Sequence, residues 1–148
     1  MNFGNYISSC DLGYIAGMID GEGHISFSKS PGQYAGIQVG ISNTNEEIIK
    51  KCMDIMARIG CNPKLYVRKI ASEKWKQCYS VLVTNQKDCL LFLTTILDCL
   101  SGKKARAQLM IDFIASRSGK KNRKLTTAEE MMLSGIRTLN KRGALNAI

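Results

Sequence analysis

The sequence predicts an α+β fold in the order α-ββ-α-ββ-α-α, closed by a C-terminal helix. Its αββαββα core is built on one twisted, four-stranded antiparallel sheet. Two pairs of short runs alternate apolar and polar residues, the mark of half-buried hairpins. Between and after them, apolar residues recur at helical spacing. The outward positions of the strands are Ser, Gln, Lys, Arg and Tyr, with almost no acid, in a chain of net charge +9. Hairpins sharing one sheet with helices packed on one face reconcile the three.

The first element is an apolar helix ending in two carboxylates, each followed by glycine: Tyr14-Ile-Ala-Gly-Met-Ile-Asp-Gly-Glu-Gly23. Ser8 or Ser9 can cap it, and Asp11 suits its first turn. Gly13, Ala16, Gly17 and Asp20 recur at i, i+3, i+4 and i+7 and so share a face. Each helical glycine costs about 1 kcal/mol relative to alanine, and close approach of a second helix would offset that cost. Gly21 and Gly23 are expected to stop the helix. Asp20 and Glu22 then face the negative end of the helix dipole, an unfavourable place that a bound cation would relieve. Two such helix ends side by side could hold a divalent metal through oxygen ligands.

His24–Ser30 alternates, with Ile25 and Phe27 inward and Ser26, Ser28 and Ser30 on the polar side. Pro31-Gly32 makes a turn, and 36–42 alternates again, with Gln38, Gly40 and Ser42 outward. Asn43 or Asn45 opens a helix, and Asn43 with Glu46 has capping-box spacing. Its stripe is Ile48, Cys52, Ile55, Met56 and Ile59, and Gly60 ends it. The second hairpin joins 64–68 to 77–83, with Leu65, Val67, Tyr79, Val81 and Val83 inward and Lys64, Tyr66, Arg68, Gln77 and Ser80 outward. The connecting residues, including Lys69, Lys74 and Lys76, are basic. Asn85 caps a helix through Leu100, Ser101-Gly102 breaks it, and Lys103-Lys104 opens the next. Residues 117–124 carry no apolar side chain and read as an exposed linker. Thr127 with Glu130 forms a capping box for a last helix reaching Leu139, followed by Lys141-Arg142-Gly143.

Length and composition bound the rest. At 148 residues the chain reads as one domain, residues 1–148, with a core over about 8–116 and a basic linker and C-terminal helix over 117–148. Lys and Arg number 21 against 12 acids, and the pI is 9.4. Nucleic acid is the usual partner of such a surface. A membrane partner is not expected, since no run of about 18 apolar residues exists and no exposed amphipathic helix carries aromatic anchors. The six cysteines include no Cys-x-x-Cys pair, and His24 is the sole histidine, so a structural zinc site is not expected. Unpaired thiols at apolar positions and no secretory signal imply an intracellular, reducing compartment, either a bacterial or archaeal cytoplasm or an organelle.

Ile15-Ala-Gly-Met-Ile-Asp-Gly-Glu-Gly23 resembles the signature of the LAGLIDADG homing endonucleases, with glycines and acids in register and Glu in place of the second Asp. The resemblance covers about 8–116. It implies the αββαββα core, with the sheet lying in the DNA major groove. It further implies a metal site of Glu22 and Asp20, with Glu22 as the ligand and Asp20 as its catalytic helper, mostly holding the turn and helix contact. Asn43 would orient the attacking water, with Thr44 as the alternative. Lys103, or next Lys104, would stabilise charge at the phosphate. The arginine that some relatives carry early in the middle helix has no counterpart, because Glu47 stands there, and Lys50, Arg68 or Lys104 could substitute. DNA contacts are expected from Ser26, Ser28, Ser30, Gln38, Gly40, Ser42, Lys64, Tyr66, Arg68, Lys76, Gln77 and Ser80.

The motif occurs once, so the resemblance implies a homodimer joined through Gly13, Ala16, Gly17 and Asp20, acting on a roughly palindromic double-stranded site. Mg²⁺ is the expected cofactor, with Mn²⁺ substituting and Ca²⁺ binding without supporting cleavage. The activity so implied is intron homing by a DNA endonuclease. The alternative within the same fold is an RNA maturase that assists intron splicing, or a DNA-binding regulator that does not cut.

Overall fold

A computed structural model describes residues 6–30, 33–121 and 124–141, excluding the side chains of residues 30 and 33–35. The expected Pro31-Gly32 turn, the Ser30 side chain, Arg142 and Gly143 lie outside the described residues. The elements are α1 (Ser9–Glu22), β1 (Gly23–Ser30), β2 (Gln33–Asn43), α2 (Glu46–Ile59), β3 (Lys64–Val67), β4 (Tyr79–Val83), α3 (Gln86–Ile96), α4 (Lys104–Arg117) and α5 (Thr127–Asn140). A 3₁₀ turn at Leu97–Cys99 finishes α3 earlier than the expected Leu100. The sheet order is β1-β2-β4-β3, antiparallel throughout.

Ser8 caps α1, accepting from the Asp11 N–H while the Asp11 carboxylate accepts from the Ser8 N–H and hydroxyl. Arg58 reaches across from α2 to the same carboxylate at 2.9 Å. The helix does not stop at Gly21 but runs through Glu22. Gly23 opens β1 in extended backbone (φ −82°). Its requirement for glycine is proximity: a Cβ there would lie 2.6 Å from the Ile19 Cα and 2.8 Å from the Ile19 O. Because those are backbone atoms, Gly23→Ala is expected to lower unfolding stability by about 1–3 kcal/mol, read by chemical denaturation.

Ile15 and Ile19 of α1 are fully buried with Ile25, Val39, Ile41, Val81 and Val83 of the sheet. The α2 stripe buries Ile49, Cys52, Ile55 and Met56, with Ile48 and Ile59 only partly covered. Asn45 is the α2 cap, its side chain accepting from the Glu47 N–H. The Asn43–Glu46 capping box does not form, because Asn43 is the last residue of β2, paired with Tyr79. Gly60 closes the helix at φ +113°, a left-handed conformation that suits glycine. Asn85 caps α3 as the spacing predicts.

Three placements differ from the sequence expectation. Leu65 and Val67, expected inward, are 40% and 55% exposed; β3 is the edge strand of the sheet. Arg117, expected in an exposed linker, ends α4 and is buried against Glu129, with its guanidinium also donating to the Lys124 carbonyl. The cap of α5 is Thr126 with Glu129, one residue earlier than Thr127 with Glu130, because Glu129 is the member held by Arg117 and Lys120. Burial pushes the Glu129 carboxyl up, but the Thr126 N–H and hydroxyl, Lys120 and Arg117 outweigh it, so the group stays ionised. Glu130 instead pairs with Lys29, and the Asn140 amide donates to the Ile25 carbonyl, which seats α5 against β1.

No helix among the described residues is long and apolar enough to cross a membrane. Cys52, Cys61 and Cys89 are buried free thiols, and burial pushes them up to about 11, 11 and 12.

Candidate active site and nucleic-acid interface

Glu22 is exposed at the end of α1, where the helix hands over to β1. One carboxylate oxygen accepts from the Asn43 side-chain amide. The other has no hydrogen-bond partner among the described residues. The Asn43 oxygen accepts from the Asn45 N–H at 2.7 Å, which turns its NH₂ toward Glu22. Strand pairing makes this meeting possible: Gly23 opposes Ile41, so the start of β1 and the end of β2 lie together. Thr44 is exposed in the turn beyond and is not the residue at the carboxylate.

Asp20 has a different environment. Its two oxygens accept from the Ser101 and Lys103 N–H groups, at 2.9 and 3.0 Å. Both oxygens thus tie the end of α1 to the backbone of the 101–103 turn. Lys103 completes a reciprocal clamp. Its ammonium donates to the carbonyls of Ile19 at 2.7 Å and Asp20 at 3.0 Å. Those carbonyls belong to the negative end of the α1 dipole, so the cation that relieves this helix end is supplied by the chain itself. Burial, then the nearby Arg106 guanidinium, push the Lys103 ammonium below its ordinary value, while Asp20 opposes them. Lys104 is exposed, and Lys50 pairs with Glu46.

Arg106 escaped the sequence reading. It lies one turn along α4 from Lys103, and its Nε is buried without a hydrogen-bond partner. The i, i+3 spacing from Lys103 was the available signal. Lys103 and Arg106 are close enough for their charges to act on each other, so this corner of the site is positively charged. His24 borders the group; burial and then Lys103 push its imidazole down, so it is neutral at pH 7.

Among the described residues no cluster of three or more His, Cys, Asp or Glu could hold a metal ion. At the end of α1, among the described residues, Glu22 is the carboxylate with a free oxygen, a hard donor of the kind Mg²⁺ and Ca²⁺ take. Such a site fits a divalent cation when a second carboxylate comes from elsewhere.

The small-residue face is rotated from the expected one. Ideal Cβ atoms on Gly13, Gly17 and Gly21, at i, i+4 and i+8, would meet nothing within 4 Å. Ala16, expected on this face, is 1% exposed within the chain's own core, because it lies beside Ile15 and Ile19, which point inward. Asp20 is turned toward the 101–103 turn.

The polar face of the sheet follows from the register. Ser26 lies opposite Gln38, and Ser42 lies opposite Ser80, which in turn faces Tyr66. The Ser42 and Ser80 hydroxyls are 2.7 Å apart. Lys64 and Tyr66 are exposed on β3, and Arg68 and Lys76 lie on the loop beyond it. Two expected contacts are otherwise engaged. Gly40 is buried, because His24 and Leu82 from the flanking strands close over it; a Cβ there would be 2.8 Å from the imidazole and 2.2 Å from the Leu82 methyl. Gln77 spends its amide on the Arg68 carbonyl, closing the mouth of the β3–β4 loop.

The chain belongs to the LAGLIDADG-like domain family, whose model matches residues 9–97. No curated protein matches the sequence significantly. Among solved structures the chain is similar to the homing endonuclease I-CvuI in complex with its target in the presence of calcium. The TM-score is 0.66 at 17% identity, over 93% of this chain and 89% of that one. A complex of I-CvuI with the I-CreI target in the presence of magnesium, its DNA not cleaved, gives 0.56 at 19% over 88% and 77%. The LAGLIDADG meganuclease I-AabMI bound to uncleaved DNA gives 0.52 at 13% over 84% and 49%. At these identities the likeness establishes the homing-endonuclease fold.

Proposed function

We propose that this chain, residues 1–148 acting as one domain, is a homodimeric, site-specific, double-strand DNA endonuclease of homing type, encoded within an intron and dependent on a divalent metal. The observation that carries the reading is the position of Glu22. A carboxylate with one oxygen unshared stands at the end of a helix whose Gly13, Gly17 and Gly21 face is bare. Those three glycines cost the helix about 3 kcal/mol against alanine, and helix-on-helix approach of a second copy offsets it. The same approach brings a second Glu22 to the first, and the two would hold Mg²⁺, or Mn²⁺ in its place, with Ca²⁺ binding unproductively. When bound, the metal supplies a hydroxide at neutral pH and Lewis-acid polarisation of the phosphate.

The chain's own residues do the remaining work. Asn43, its oxygen fixed by the turn, presents an NH₂ that orients Glu22 and a water beside it. Lys103 and Arg106 bring positive charge to where the scissile phosphate gains negative charge. The Ser, Gln, Lys and Tyr face of the sheet lies in the major groove, with polar side chains at base edges and the chain's net charge of +9 meeting the phosphates. Buried unpaired thiols at Cys52, Cys61 and Cys89 suit an intracellular, reducing compartment.

Retention of both Glu22 and Asn43 favours the nuclease over the RNA maturase or the non-cutting regulator. The test is incubation with the uninterrupted host locus, with and without Mg²⁺. Double-strand cuts that require the metal support the reading. Specific binding without any cut in Mg²⁺ or Mn²⁺ passes the case to the regulator, and binding to the intron RNA alone passes it to the maturase.

Lys103→Met is expected to slow cleavage by about 10²–10³-fold, measured in single-turnover assays, with a weak effect on DNA affinity. It also removes the cation from the end of α1, so stability falls by about 0.3–1 kcal/mol. A fully active variant would move the charge-stabilising role to Arg106 or Lys104.

A further inference from the structure

The cations of α2 divide their partners. Lys50 pairs with Glu46, and Arg58 pairs with Asp54 and Asp11. Lys51 turns the other way, toward α1, and its ammonium lies over the Tyr14 ring, 4.2 Å from the centroid. Tyr14 precedes Gly17 and Gly21 by three and seven residues, so it stands on the same side of α1 as those bare glycines. One face of α1 thus carries an ammonium at its rim and leads down to the Glu22 carboxylate. The groups along it sense one another. Burial, then the Cys52 thiol and the Glu22 carboxylate, push the Tyr14 hydroxyl up. Burial, then Glu22, push the Cys52 thiol up, and Lys51 opposes them. Lys51 and Glu22 therefore act on the same neighbours without forming an ion pair in one chain.

We propose that Lys51 is a tethered counter-ion for the two Glu22 carboxylates of the dimer, parked on Tyr14 at the rim of the α1 face and displaced from the acids when a divalent cation binds. The inference rests on the homodimer and metal readings above, and it adds a residue that governs the site before any metal arrives. Electrostatics makes a counter-ion necessary. Approach of two α1 faces brings two like charges together at the negative ends of two helix dipoles, and both effects oppose association. Lys103 does not answer them, because its ammonium is already spent on the Ile19 and Asp20 carbonyls. Lys51 is exposed, has a flexible stem and is held in one chain by a ring face, a contact weak enough to leave. A divalent cation carries twice its charge and takes carboxylate oxygens directly. It therefore replaces the ammonium at the acids and returns it to the ring.

Sedimentation equilibrium of the full chain without DNA, first in EDTA and then along a Ca²⁺ titration, reads the dimer dissociation constant. In EDTA, Lys51→Met should weaken the dimer about 5- to 25-fold, because twofold symmetry counts each ion pair twice. Saturating Ca²⁺ should close the gap. Lys51→Arg, which keeps the charge, should dimerise as the wild type does, and unchanged circular dichroism and melting confirm the fold of both variants. The effect should also depend on the acid: in a Glu22→Gln background, Lys51→Met should shift the dimer by less than about twofold. A Lys51→Met dimer as tight as the wild type in EDTA overturns the counter-ion while the dimer reading stands. A weakened dimer that neither Ca²⁺ nor Glu22→Gln restores overturns it too, and makes Lys51 a packing residue of the interface. A wild type that stays monomeric with and without Ca²⁺ removes the dimer reading itself and the counter-ion with it.

Discussion

Glu22→Gln is expected to abolish cleavage while leaving fold, dimer and DNA affinity in place. The substitution removes one charge with almost no change of shape. The Asn43 amide, which donates to one Glu22 oxygen, can donate equally to the glutamine carbonyl. The fold does not depend on the charge, because Glu22 is exposed and its second oxygen is unshared. On the proposed reading binding rests on the sheet and the net positive charge, so affinity should persist or rise slightly as repulsion from phosphate is lost. If Glu22 holds the metal, its loss would remove the hydroxide that a bound metal would supply at neutral pH, and the rate should fall by at least several orders of magnitude. Asp20→Asn is the contrast. Its carboxylate holds the Ser101 and Lys103 N–H groups, so the Asn variant should melt at lower temperature as well as cut poorly. Melting temperature, gel-shift affinity and nicking of supercoiled DNA, measured on both variants, separate the two roles. An active Glu22→Gln protein would falsify the assignment of the metal ligand.

Gly17→Leu is expected to convert a dimer to a monomer and to lose cleavage with it. Within one protomer the substitution is harmless: an ideal Cβ on Gly17 meets nothing within 4 Å. Leucine is also the better helix former by nearly 1 kcal/mol, so the variant protomer should unfold no more easily than the wild type. Between two protomers the added side chain stands where two backbones must approach, and contact along α1 is lost. Light scattering after gel filtration reads the mass, and denaturation of the monomeric variant reads its stability. A Gly17→Leu protein that stays dimeric would place the interface elsewhere on the surface. A wild type that is monomeric and still cuts both strands would end the twofold reading altogether.

Much of this molecule was legible in its sequence, and the misses have identifiable causes. The α2 stripe and the caps at Asn85 and Gly60 were readable because they are local: spacing and one capping side chain decide them. The rotation of α1 was not. Gly13 with Gly17 and Ala16 with Asp20 form adjacent stripes on one helix, and only the packing of Ile15 and Ile19 decides which stripe turns outward. Thr126 with Glu129 and Thr127 with Glu130 have identical spacing, and Arg117, twelve residues back, selects the first. The exposure of Leu65 and Val67 follows from strand order, which alternation does not encode. At the site, the resemblance pointed to Glu22, Asn43 and Lys103. The contact of Lys103 with the end of α1 spans 83 and 84 positions and has no local trace.

The exchange of bonds between Asp20 and Lys103 means that the acidic end of α1 and the basic start of α4 cannot move independently. A flexible lysine would surrender rotamer freedom of about 1.5–2 kcal/mol each time it was fixed for reaction. Here much of that ordering is completed when the chain folds, so on the proposed reading the group would be preorganised before DNA arrives. The same coupling makes the two helix ends one mechanical part: any tilt of α1 carries the Lys103 ammonium along with the Asp20 carboxylate.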